Sequence, residues 1–166
     1  MFLRELGQCV ELSGFDGDAR KVALAQRAAG TDARFDVQDL LTLHATAGTV
    51  LLVDVLHYLP LAEQDEVLRR VADCVPHGRI LIRDLDAGPK ARSAVTRVFE
   101  WLAKVTGYNR GRAERYYRPA RELVAQLESA GFSCEVLGAS EGTPFGNVLI
   151  VATKSESAMR SNSGAG

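Results

Sequence analysis

Residues 49–85 read TVLLVDVLHYLPLAEQDEVLRRVADCVPHGRILIRDL. The run Thr49–Val55 is nearly all apolar and rich in valine, the composition of a strand buried on both faces. After Pro60 the period changes. Val67, Leu68, Val71, Ala72 and Val75 fall on one stripe, while Glu63, Asp65, Glu66, Arg69 and Arg70 take the opposite side, which predicts an amphipathic helix. Pro76 and Gly78 end it, and Arg79–Arg83 (RILIR) is a second buried strand. Strand, helix and strand in this order make a right-handed βαβ unit with parallel strands.

The alternation continues outward in both directions. Upstream, Cys9–Phe15 (CVELSGF) predicts a strand running into Asp16, and Asp18 is placed to cap a helix that carries Val22, Ala25 and Ala29 on one face and stops at Gly30. Ala33–Val37 is a short strand ending near Asp39. Downstream, one helix is expected over about 90–105 and another from about Pro119 to Ala130, with Leu123, Val124 and Leu127 inward. Two strands follow, Ser133–Leu137 and Asn147–Thr153. They are joined by a connection containing EGTPFG, too short for a parallel crossover, so this last pair must be antiparallel. The expected architecture is α/β: a Rossmann-like three-layer sandwich whose mainly parallel sheet closes on an antiparallel C-terminal hairpin. One domain is expected over 1–154, and the small polar tail 155–166 is expected to be disordered.

The chain has 166 residues, 46% of them hydrophobic and 25% charged, with a net charge of -1. That balance gives no reason to expect nucleic acid or a membrane surface as partner. No apolar run approaches the ~20 residues of a membrane span, and MFLREL lacks the layout of a signal peptide, so a cytoplasmic location is expected. Cys9, Cys74 and Cys134 form no CxxC pair and show no ligand spacing with His44, His57 or His77. Neither a metal nor a disulfide framework is expected.

In open α/β sheets ligands bind beyond the carboxyl ends of the strands. Acidic residues stand at those ends here: Asp16, Asp39, Asp54 and Asp84. A carboxylate at Asp16 is placed to accept from the vicinal hydroxyls of a ribose, and one at Asp39 from an exocyclic amino group. Each alone is as often a cap or a surface charge. In this order, ahead of a buried strand with its own aspartate, they are more specific.

The runs VELSGFDGDARKVALAQ, ARFDVQDLL, TVLLVDVLHYL and EVLRRVADCVPHGRILIRD, with the ending ESAGF and NVLIVATK, resemble the second to last strands of class I S-adenosylmethionine-dependent methyltransferases. The resemblance is collinear over nearly all of residues 1–154. It implies that S-adenosylmethionine is the cofactor, with Asp16 and Gly17 at its ribose, Asp39 and Leu40 at its adenine, and Asp54 and Val55 beneath its methionine portion. Enzymes of this family begin with an apolar strand and a GxGxG loop; neither precedes Asp16, and MFLREL resembles the end of the helix that follows that loop. A chain lacking its first strand is the corresponding expectation.

His57 and Tyr58 follow the buried strand on the side where an acceptor would sit. A neutral histidine there could take the acceptor's proton, although packing beside the cofactor is the commoner role for such a residue. The segment 108–121, YNRGRAERYYRPAR, places five arginines among three tyrosines. It is either a solvated loop or, with Arg115 and Tyr116, part of the acceptor site. An anionic small molecule, or an acidic carrier protein presenting the acceptor, suits it better than RNA. Methyl transfer to a small molecule at oxygen (hydroxyl or carboxyl, possibly aromatic) is the leading expectation, with a homodimer as an option. A non-catalytic methyltransferase-like subunit is the alternative. A nicotinamide oxidoreductase fits poorly, because the chain ends on an antiparallel hairpin and has no Tyr-x-x-x-Lys pair.

Overall fold

A computed structural model describes residues 11–43, 46–86, 115–139 and 147–154. The chain divides into two compact units, Met1–Leu43 and His44–Gly166.

The first unit is a βαβ element: β1 (Ser13–Asp16), α1 (Ala19–Ala29) and β2 (Arg34–Val37), with the strands parallel and Asp16 opposite Val37. Asp18 is the N-cap, its carboxylate accepting from the Arg20 amide, and Gly30 ends the helix at φ 62°, where a side chain would be strained. The Gln26 side chain ties the helix end to the next strand. It donates to the Gly30 and Ala33 carbonyls (2.7 and 3.1 Å) and accepts from the Phe35 amide at 2.9 Å. β1 starts at Ser13, later than its apolar lead-in suggests.

The second unit is built on a four-stranded sheet in the order β3-β4-β6-β5, formed by β3 (Thr49–Val53), β4 (Gly78–Leu85), β5 (Ser133–Gly138) and β6 (Asn147–Lys154). β3 and β4 are parallel, joined through α2 (Leu61–Cys74), as the period change after Pro60 requires. β6 is antiparallel to both β4 and β5, as the short connection demands. α3 (Ala120–Ser129) packs on β5, β6 and α2. The core joins Val67, Leu68 and Val71 of α2 and Leu123 and Leu127 of α3 with Ile80, Ile82, Ile150 and Ala152 of the sheet, all buried. Burying one such aliphatic side chain is worth about 1.5–3 kcal/mol.

The described strands form two sheets, of two and four strands. One expectation needs correction. Thr49–Val53 was expected to be covered on both faces, yet Leu51 is 51% and Val53 54% exposed while Leu52 between them is buried. Leu51 and Val53 project to the face opposite Leu52, since side chains alternate along a strand, and within this unit that face stays open. The helix expected over 90–105, the turn EGTPFG and the tail from Ser155 lie outside the described residues.

Candidate active site

The chemistry of the second unit gathers where β3 and β4 end. β3 gives way at Asp54, whose amide donates to the Arg83 carbonyl at 2.8 Å and whose φ of 52° lies in the left-handed region. Aspartate is among the few side chains that enter this region readily. The reversal throws the chain into a single 3-10 turn, Leu56–Tyr58, which delivers His57 toward the end of β4.

There it meets Asp84. The alternation Ile80, Ile82, Asp84 points all three side chains to the covered face, and Asp84 is buried with them. One carboxylate oxygen lies 2.6 Å from His57 Nδ1; the other accepts from the His57 amide at 3.3 Å. The Leu85 amide adds a third donor at 2.8 Å. His57 and Asp84 are 6% and 5% exposed. A carboxylate against Nδ1 holds the ring proton on that nitrogen, which leaves Nε2 of the neutral ring as a proton acceptor. Rings of Tyr58 and Tyr117 flank the imidazole at centroid distances of 4.3 and 5.6 Å, the second stacked within 27°. The Arg115 guanidinium lies 5.7 Å over the Tyr58 ring and donates to the Tyr117 hydroxyl at 3.3 Å. The Tyr116 amide donates to the His57 carbonyl at 2.9 Å. Tyr58, Arg115 and Tyr116, named from sequence as acceptor residues, are thus brought together with His57.

Of the residues expected at the cofactor, Asp16, Gly17, Asp39 and Leu40 lie in the first unit and Asp54 and Val55 in the second. Asp16 and Asp39 follow the carboxyl ends of neighbouring parallel strands. The Asp16 carboxylate accepts from the Asp18 amide at 2.8 Å and keeps a loose, exposed contact with Lys21 at 3.4 Å. Gly17 beside it has open space where a side chain would stand. The Asp39 carboxylate caps the 3-10 turn Leu40–Thr42 through the Leu41 amide at 2.9 Å. The second oxygen of Asp16 meets only the loose Lys21 contact, so these two carboxylates are acceptors that fit the hydroxyls and amino group of a nucleoside. Asp54 does not present its carboxylate in the same way, because Arg83 pairs with it.

Asp84 as the partner of His57 and Gln64 beneath both were not named as site residues from sequence. Their signals were there. Asp84 continues the buried parity of Ile80 and Ile82, and Gln64 keeps helical spacing with Val67, Leu68 and Val71, a polar residue on an apolar face.

No family model matches the chain, and no curated protein matches it. Solved structures do. An O-methyltransferase family protein from Burkholderia thailandensis is 19% identical, with 87% of this chain and 43% of that one covered at a TM-score of 0.64. The magnesium protoporphyrin IX methyltransferase of Synechocystis PCC 6803, with bound SAH, is 21% identical over 87% of this chain and 65% of that one, TM-score 0.65. SpnF, a 4+2 cyclase, is 14% identical over 93% and 71%, TM-score 0.67. The chain has the class I methyltransferase fold. It spans less than two thirds of the length of the first two of these structures. Among the described residues no helix is long and apolar enough to cross a membrane.

Proposed function

We propose that this chain is part of an S-adenosylmethionine-dependent methyltransferase that acts on an oxygen of a small, hydroxyl-bearing acceptor. The observation that carries the reading is the buried His57–Asp84 pair at the carboxyl ends of β3 and β4, in a fold shared with O-methyltransferases. Asp16 would accept from the ribose hydroxyls, Asp39 with Leu40 would hold adenine, and Val55 would line the floor of the methionine portion. When bound, the cofactor supplies a methyl group on a sulfonium sulfur that is already activated to leave. The chain's own part is therefore positioning and proton removal. His57 Nε2 takes the proton that the acceptor oxygen gives up, and Asp84 keeps the imidazole in the tautomer that can do so. Tyr58 and Arg115 line the acceptor's approach, which suits a flat ring or an acidic group on the acceptor or its carrier.

The cyclase among the neighbours supports keeping a second reading, because one fold hosts several chemistries. A non-methylating protein would retain the nucleoside carboxylates without transferring a group. Calorimetric titration with S-adenosylmethionine, followed by transfer of a labelled methyl to a panel of phenols and hydroxybenzoates, separates the two. Asp16→Ala is expected to weaken cofactor binding by about 1–3 kcal/mol through loss of charged hydrogen bonds. Equal affinity in the variant removes Asp16 from the site, and binding without any labelled product favours the second reading.

A further inference from the structure

His57 sits under a cover. The cavity beside the pair, lined by His57, Gln64, Asp84, Tyr116 and Arg118 among others, holds about 10 Å³, room for roughly one water. Among the described residues, this cavity admits nothing larger than water. Residues 115–117 close the site, and their fastening is specific. The Tyr116 amide donates to the His57 carbonyl at 2.9 Å. The Gln64 amide nitrogen, on a side chain only 1% exposed, donates to the Tyr116 carbonyl at 2.8 Å and to the Leu59 carbonyl at 2.9 Å. Both peptide groups of one strap residue are thus held from below, by the backbone of the histidine itself and by one buried amide. At the C-terminal end the strap is anchored by Arg118, which pairs with Asp65, and by the Ala120 amide on Asp86 at 3.0 Å. Arg115, Tyr116 and Tyr117 are each only half-buried, and no side chain of the strap belongs to the buried core.

We propose that residues 115–117 are a strap which must lift to admit the acceptor, and that Gln64 is the positioning residue that sets how readily it does so. This rests on the reading of His57 as the group that meets the acceptor. Lifting breaks the two hydrogen bonds at Tyr116, the Tyr117–His57 stack and the Arg115–Tyr58 contact, while the Arg118–Pro119 anchor and α3 stay in place. It is a local opening, not an unfolding event. The stacked Tyr117 ring shields the imidazole when the site is empty and leaves it when the acceptor enters.

Carbethoxylation of histidines by diethyl pyrocarbonate, resolved by mass spectrometry, reads this access without any methyl acceptor. His77, exposed ahead of β4, is the internal standard. His57 is expected to react at least about tenfold more slowly than His77 in the parent chain, and Gln64→Met, which keeps the volume but donates nothing, is expected to raise its rate by about tenfold with His77 unchanged. Tyr117→Ala, which removes the shield from the surface side, is expected to raise it as well. A His57 that already reacts like His77, or one whose rate is unmoved in a Gln64→Met chain of unchanged circular dichroism, overturns the proposal. Should Gln64→Met unfold, Tyr117→Ala decides on the same criterion. A protein that methylates nothing leaves this readout intact, and a strap that never opens leaves the S-adenosylmethionine titration intact, so the two failures are distinguishable.

Discussion

Two residues concentrate the energetics. Asp84 satisfies three buried donors at once: His57 Nδ1–H, the His57 amide and the Leu85 amide. Its truncation leaves all three without their acceptor in a largely buried site, where each unmade bond costs desolvation of its donor. Asp84→Ala is expected to lower stability by about 3 kcal/mol or more, read as a lower urea midpoint with an unchanged slope. Gly78 is fixed by geometry alone. Its φ is 126°, and a Cβ there would stand 1.9 Å from the Gly48 carbonyl oxygen, whose other duty is to accept from the Arg79 amide. Gly78→Ala must therefore break the entry of β4, and a loss of about 3 kcal/mol or more is expected in the same denaturation experiment.

Among the elements, α2 couples its surface to its core. Glu66 accepts from Arg69 (2.8 and 2.9 Å) and from Arg70 (2.6 Å), and Arg69 reaches on to Asp73. Hydrogen bonds from the two guanidinium groups hold the Glu66 carboxyl at about 2, well below the usual carboxylate range. A depressed folded value means that the contribution is complete above the unfolded carboxylate's range and is lost as pH falls toward 2. Glu66→Gln should flatten that part of the stability–pH curve by lowering stability slightly at neutral pH, the small amount that an exposed network contributes, with little change near pH 2; parallel thermal melts from pH 6 to pH 2 test this.

The same helix shows what the sequence could carry. Its apolar stripe and Pro60 placed it within a residue or so, because burial on one face repeats with the helical period. β1 was harder, since an apolar lead-in looks like strand whether or not it pairs. The Asp16 and Asp39 turns were legible from their place after strands. The His57–Asp84 pair was not, because it depends on the parallel register that sets Val53 beside Arg83. No local pattern encodes that register.

At the scale of the molecule, stability is unevenly distributed between the two units. Among the described residues of the first, only Val22 and Leu43 are buried hydrophobic side chains, whereas the second encloses Ile80, Ile82 and Ile150 beneath two helices. Protection from exchange should follow burial. Amides paired between β4 and β6 are expected to exchange at least about a hundredfold more slowly than those of β1 and β2, a difference near 3 kcal/mol in local opening. Hydrogen–deuterium exchange with peptide resolution checks the order, and equal protection in both units would refute it.

Local opening also touches a bond that no fold restores once it has changed. Asp16 is followed by Gly17, which has open space in place of a side chain. Nothing but conformation keeps the Gly17 nitrogen from attacking the Asp16 carboxyl carbon. That attack expels water, closes a succinimide and reopens chiefly to isoaspartate, with the backbone rerouted through the β-carbon. In the folded turn the carboxylate is held on the Asp18 amide instead. The hydrogen bond that fixes the Asp16 carboxylate therefore also slows the ageing of its own peptide link. In the unit with less burial, each opening of β1 removes that protection, so the chemical lifetime of the Asp16–Gly17 link is set by how often this four-residue strand lets go.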